Sequence, residues 1–183
     1  MKIEDLDFSF EHSNVRVIAN RNCPEIKLAG LSVGPFEEGN EYEVQFWIAQ
    51  ELEKAGITRF REEERLDATK LYKIQWTERV QTAGQIAPLP ENFYPKLCRF
   101  LMELKEKASE NPEKMREYEK IRQLAQDIVN ARLKKVVALA SASAQTEQTL
   151  KNLTAEEKIL HTKLHRLIHT WKTQILRNEK VEK

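Results

Sequence analysis

The sequence predicts an α+β protein that is mainly α: a small N-terminal β domain, then a five-helix, bundle-like domain with two long helices. Three observations predict it. Period-two alternation is confined to the first third of the chain, at NVRVIA (14–19) and EIKLAGL (25–31). From Tyr42 onward apolar residues recur at helical spacing instead. Gly34, Pro35 and Gly39 punctuate the chain where the period changes. The expected division is a β domain over 1–41, a helical domain over 42–178 and a tail over 179–183.

In the first strand Val15 and Val17 flank Arg16, and in the second Ile26 and Leu28 flank Lys27, so each strand has an apolar face. Asn20 to Pro24 supplies the turn between them. A helix from Tyr42 aligns Val44, Trp47, Ile48 and Leu52, and Gly56 stands where a C-terminal cap belongs. ITRFREEERL then links to a second helix with Asp67 as N-cap and Leu71, Ile74 and Trp76 as inward candidates. Pro88 and Pro90 fix the loop QTAGQIAPLPEN. The third helix, through Leu97, Phe100, Leu101 and Leu104, admits Pro95 only in its first turn.

Asn111 and Pro112 open the longest helix as N-cap and first residue, and it runs to about residue 140. Met115, Tyr118, Ile121, Leu124 or Ala125, Ile128, Leu133, Val136 and Val137 mark its expected buried side. At ~1.5 Å per residue it spans about 43 Å, more than a small domain needs for its own core. SASAQTEQTLKN is a polar connector. Thr154 and Glu157 form a capping box that opens the last helix, to about Arg177, with Leu160, Leu164, Leu167, Ile168, Trp171 and Ile175 along one side. At roughly 1.5–3 kcal/mol each, itself an upper estimate, six such residues fully buried represent about 10 kcal/mol or more. Five helices do not easily enclose that much, and helices of this length usually share their stripe with another chain.

Composition narrows the function classes. Residues 1–56 hold five Lys or Arg and eleven Asp or Glu, net −6, in a chain of net +1, so an acidic head precedes a mildly basic body. That body is far from the charge of a strongly basic nucleic-acid binder. No apolar run approaches the ~20 residues that span a bilayer, and MKIEDLDFSFEH is unlike a secretory signal, which leads to the expectation of a cytoplasmic location. Cys23 and Cys98 lie far apart with no second Cys near either; both are expected to be buried thiols, with no zinc knuckle or CxxC pair.

HTKLHRLIHTW (161–171) spaces His161, His165 and His169 by four, on one edge of the last helix. His161 and His169 lie about 12 Å apart along the axis. Zinc donors each sit ~2 Å from the ion, so at most two neighbours share one. HTKLH also lacks the Glu of HExxH. These imidazoles are therefore read as bordering a packing face, or as an intersubunit contact that weakens on protonation below about pH 6.5, rather than as a metal site. EEER (62–65) is read as a solvated linker. RLKK (132–135) is read as the wet side of a helix, with phosphate contact as its alternative. No local context supports a catalytic triad, so neither catalysis, a cofactor nor a metal is expected.

The order of segments resembles a known family. GPF (34–36), EVQFWIAQELEKAG (43–56), APLPENFYPKLCRFLM (87–102), IRQLAQDIVNARLKKV (121–136) and NLTAEEKILHTKLHRLI (152–168) are similar, in that order, to the GINS replication proteins, in particular to archaeal-type subunits whose small β domain precedes the helical domain. The most specific pieces are Pro88, Leu89 and Pro90; the run of Asp127, Arg132 and Lys135; and Asn152, Leu153, Thr154 and Glu157. The resemblance implies a non-enzymatic scaffold in a four-subunit complex, two copies each of two related subunits or four of one. It further implies partnership with the minichromosome maintenance helicase and a RecJ-like replication protein, with direct DNA contact at most weak. Ile128, Leu133, Leu164, Ile168 and Trp171 are then the candidates for core or subunit contact, and Asp127 and Arg132 for an ion pair of modest value.

Overall fold

Val15, Val17 and Ala19 all turn to one side of β1 (Asn14–Ala19) and are buried, while Asn14 and Arg16 face solvent. That alternation places β1 at the centre of a three-stranded antiparallel sheet, with β4 (Glu41–Gln45) on one side and β5 (Thr58–Phe60) on the other. Val15 stands opposite Val44, and Val17 is opposite both Tyr42 and Phe60. Between β1 and β4, β2 (Ile26–Leu28) and β3 (Leu31–Val33) form a separate hairpin. The computed structural model from which this architecture is read describes residues 3–28, 30–81, 85–108, 111–142 and 147–176.

Two helices close this unit. α1 (Ile3–Glu11) carries Phe10 against Phe46, their ring centroids 4.4 Å apart, and α2 (Phe46–Lys54) buries Phe46, Ile48, Ala49 and Leu52. Gly56 ends α2 as expected: its φ is +68°, its N–H donates to Glu53 O, and the N–H of Ile57 donates to Leu52 O. Those two bonds are a Schellman motif, which a residue with a Cβ enters only under strain.

Three expectations need correction here. Residues 41–45 are strand, and the helix starts at Phe46, because Tyr42 and Val44 alternate and find a partner in β1. Thr58–Phe60 is a strand rather than linker, and α1 was not anticipated; a single buried aromatic, Phe10, holds it and leaves no stripe to read. The N-terminal unit consequently runs from Glu4 to Leu66 and not to residue 41.

The second unit begins at Asp67, whose side chain accepts from the Lys70 N–H at 2.8 Å and caps α3 (Ala68–Val80). α4 (Phe93–Ala108) follows, with Pro95 in its first turn, and then α5 (Pro112–Ser141), capped by Asn111. A short α6 (Glu147–Lys151) leads to α7 (Ala155–Ile175), whose capping box is present. α5 is the central rod, packed against α3, α4 and α7. At ~1.5 Å per residue it is about 45 Å long. Part of the connector, 143–146, and the tail, 179–183, lie outside the described residues.

The phase of α5 differs from expectation. Its buried positions are Ile121, Leu124, Ala125, Ile128, Arg132, Lys135, Val136 and Ala140, a continuous helical stripe that includes two cations. Leu133 and Val137 point outward instead, and Leu133 is 43% exposed. On α3, Trp76 is 71% exposed, so it does not face inward. Cys98 is exposed and Cys23 half-buried, so neither is a core thiol.

The phase is checked by a pair of variants. Ile128→Ala removes a fully buried side chain and is expected to lower stability by about 2–5 kcal/mol. Leu133→Ala is expected to change the isolated chain by under about 0.5 kcal/mol. Denaturant melts of the two, run side by side, separate the expected phase from the observed one.

Candidate functional site

The most chemically loaded place in the helical unit is the inner face of α5. Arg132 is 1% exposed, and Glu78, Lys135 and Glu157 are also buried. Two cations and two carboxylates balance in charge. Arg132 meets Glu157 side-on, Nε to Oε1 and Nη2 to Oε2, both 2.7 Å. Its Nη1 donates to Glu78 Oε1 at 2.9 Å and to Ala87 O at 2.6 Å, and Nη2 also reaches Asn152 O at 3.4 Å. All five guanidinium N–H groups thereby have acceptors. Lys135 donates to Glu78 Oε2 at 2.7 Å, to Glu78 O at 3.2 Å and to Gln81 Oε1 at 3.4 Å, which uses its three protons.

The carboxylates are equally engaged. Glu157 Oε1 accepts from Tyr94 OH at 2.7 Å, and its Oε2 accepts from the Thr154 N–H at 3.0 Å, while Thr154 Oγ1 accepts from the Glu157 N–H at 3.3 Å. One glutamate is thus both N3 of the α7 capping box and the counter-ion of Arg132. The Glu78 carbonyl lies in the last turn of α3, where it has no intrahelical donor, and Lys135 supplies one. Asn152 Nδ2 donates to Ile86 O at 2.9 Å, so the segment around APLP is fastened by side chains from two directions.

Burial opposes the charge on Glu157, but the hydrogen bonds and charge of Arg132, with the Tyr94 and Thr154 bonds, outweigh it and hold the carboxyl below its usual range. Burial likewise works against the Arg132 cation and is outweighed by Glu157 and then Glu78, which raise its pKa. Tyr94 is pushed well above the usual phenol range by burial first and then by the Glu157 charge, so its hydroxyl stays a donor. Chemically the cluster is a clamp: its donors and acceptors are taken up within the unit, and it ties α3, α4, α5 and the start of α7 together.

The expected modest pair of Asp127 and Arg132 is therefore corrected. Asp127 accepts from Gln75 and Gln123 on the surface, whereas Arg132 turns inward to Glu78 and Glu157. RLKK is not a wet face either, since Arg132 and Lys135 are buried. Glu78 and Tyr94 were missed altogether. The available signal was phase: Arg132 lies four residues past Ile128, on the same stripe.

The three histidines stack along α7, with ring centroids 6.0 Å apart for His161 and His165 and 6.3 Å for His165 and His169. His161 is buried and its Nε2 has no hydrogen-bond partner among the described residues; burial first, and then the His165 charge, lowers its pKa. Among the described residues no group of three or more His, Cys, Asp or Glu is arranged around a common metal position. Nor is any described helix long and apolar enough to cross a membrane.

The five core-or-contact candidates separate clearly. Ile128 lies in the core, and Leu164 and Ile168 are half-buried, Leu164 against the cluster of Ile86, Val136 and Leu153. Leu133 and Trp171 face solvent, Trp171 at 58% exposure. Leu167 and Ile175 accompany Trp171 on α7, and Val129 and Val137 accompany Leu133 on α5.

Comparison with known proteins adds to this geometry. The GINS complex protein helical bundle domain (Sld5) matches residues 64–176, and the PSF2 N-terminal domain matches residues 2–59. DNA replication complex GINS protein PSF2 of Homo sapiens is 30% identical over 160 residues, covering 86% of this chain and 82% of the human protein. Its Xenopus laevis counterpart is 29% identical over the same shares of both chains.

The clamp has a signature in pH and in mutation. Arg132→Leu strands the buried carboxylate of Glu157 and leaves Glu78 to Lys135 alone, and is expected to lower stability by about 3–5 kcal/mol. Because the Glu157 pKa is depressed on folding, its contribution is present above the unfolded value of about 4.3 and is lost as pH falls through the lower folded value. His161 is depressed too, so the unfolded chain takes up its proton first and stability declines below about pH 6.5. Urea melts from pH 3 to 8 should show both limbs, the lower removed by Glu157→Gln and the upper by His161→Leu.

Proposed function

Because this chain belongs to the GINS family of DNA replication proteins, we infer that it acts as a non-catalytic building block of a GINS complex. It joins other GINS subunits through the outward apolar sides of α5 and α7. One observation carries the reading. Leu133 and Val137 on α5, and Leu167, Trp171 and Ile175 on α7, stay exposed after the unit has built its own core. Large apolar side chains repeated at helical spacing on a solvent face mark an interaction surface. Trp171, a large anchor with little rotamer entropy to lose, is the contact of greatest expected weight.

In this reading Leu164 and Ile168 seat α7 on its own unit, while Leu133 and Trp171 meet a neighbour. The complex is a tetramer, either two copies each of this chain and a complementary sister subunit, as expected for an archaeal-type member, or four copies of this chain. It supports the minichromosome maintenance helicase, with a RecJ-like protein as a further partner, and works in the cytoplasm at the nucleoid. The relatives named DNA replication complex GINS protein PSF2 support a place for this chain in a DNA replication complex. A nucleic-acid-binding module is the weaker reading. Its basic patch was RLKK, and two of the three cations there are spent on Glu78 and Glu157.

Light scattering of the purified chain, alone and with a co-expressed sister subunit, tests this directly. The expected result is a defined mass of four subunits. Trp171→Ala is expected to leave the melting temperature of the isolated chain unchanged while shifting that mass downward, since the side chain is exposed before assembly. A chain that stays monomeric when dilute and ignores its sister would overturn the reading.

A further inference from the structure

In the N-terminal unit, β4 is the outer strand of the three-stranded sheet, with no described strand alongside its far edge. The ladder fixes which backbone groups that edge offers. Ala19 donates to Asn40 O at one end and Phe46 donates to Ser13 O at the other. Antiparallel alternation between those anchors turns the backbone groups of Tyr42 and Val44 towards β1, and those of Glu41, Glu43 and Gln45 outward. The Gln45 carbonyl starts the helical bonds of α2 as its N-cap. Available for pairing are therefore the N–H groups of Glu41, Glu43 and Gln45 and the carbonyls of Glu41 and Glu43.

A cleft of about 350 Å³ has β4 on one side and β3 on the other, with Val33, Phe36, Tyr42 and Val44 among its lining. Charge narrows the occupant. Residues 4–66 contain seven Lys or Arg and fourteen Asp or Glu, net −7. Glu41 and Glu43 project from the exposed face of β4; Glu41 pairs with Arg61 at 3.1 Å, and Glu43 makes no ion pair among the described residues. Two copies of this edge would bring their glutamates together, so the same charge that blunts self-pairing favours a cationic visitor.

We propose that the β4 edge takes up an extended segment of a partner protein in which Lys or Arg alternates with apolar residues. An added strand shares the pleat of β4, so its side chains alternate between the two faces. Its cations lie on the face of Glu41 and Glu43, and its apolar residues on the face of Tyr42 and Val44, towards the cleft. Backbone pairing supplies a large share of the affinity and the charge alternation supplies the selectivity.

The full chain, isotopically labelled, can be titrated with the peptide KVKVKVK, with binding followed by anisotropy of a fluorescent copy. Expected are saturable binding, slowed hydrogen exchange at the Glu43 amide, no binding of EVEVEVE, and weakening of roughly tenfold or more by Glu43→Lys. N-methylation at alternate peptide residues, which removes donors while keeping charge, should abolish binding. Glu43→Gln should fall between wild type and Glu43→Lys, separating a charge effect from a disturbed fold. Absence of binding by KVKVKVK, equal binding of the methylated peptide, or a Glu43 amide that exchanges at its free rate when the peptide is saturating would overturn the proposal.

Discussion

Arg132 is buried among helices, and a guanidinium tolerates that position only because every one of its donors meets an acceptor and two carboxylates neutralise it together with Lys135. Removing ions from water is expensive, and a buried ion cluster stabilises a fold only when its geometry is complete. Completeness here demands that α3 deliver Glu78, α4 deliver Tyr94 and α7 deliver Glu157 at the same place along α5. Few packings of four helices meet that condition. The cluster therefore restricts how the rods can slide or rotate against one another, a restriction that apolar side chains alone enforce weakly.

The same constraint shapes the outer surface. Once Arg132, Lys135 and Val136 occupy the inner side of α5, Leu133 and Val137 are turned outward by the helical period, and Leu167, Trp171 and Ile175 remain outward on α7. An inward polar clamp and an outward apolar face thus arise together. A helical unit that holds itself together by a satisfied ion network can leave apolar side chains free for neighbours. In the N-terminal unit the arrangement is the ordinary one, with an apolar interior between sheet and helices, and among the described residues no strand lies on the far side of β4, which carries acidic side chains on its exposed face.

Local signals in the sequence are sufficient wherever a short-range interaction decides the outcome. Asp67, Asn111 and Thr154 cap the helices they were expected to cap, and Gly56 ends α2, because each acts on backbone groups within a few residues. β1 follows from alternation alone, whereas 25–31, which alternates as one strand, is divided between β2 and β3 of a hairpin. The segment 41–45 is ambiguous in sequence, because Val44 and Ile48 fit a helical stripe as readily as Tyr42 and Val44 fit a strand; pairing with β1 makes it a strand. α1 had no periodic stripe to announce it.

What the chain by itself determined was its class, the caps and lengths of its long helices, and membership of a family through ordered motifs spread along its length. Tertiary structure alone decided which side of α5 is inside. Hydrophobicity favours Leu133 over Arg132 as the buried residue, and it gives the wrong answer, because the burial of a cation depends on partners 54 and 25 residues away, Glu78 and Glu157, that no local window contains.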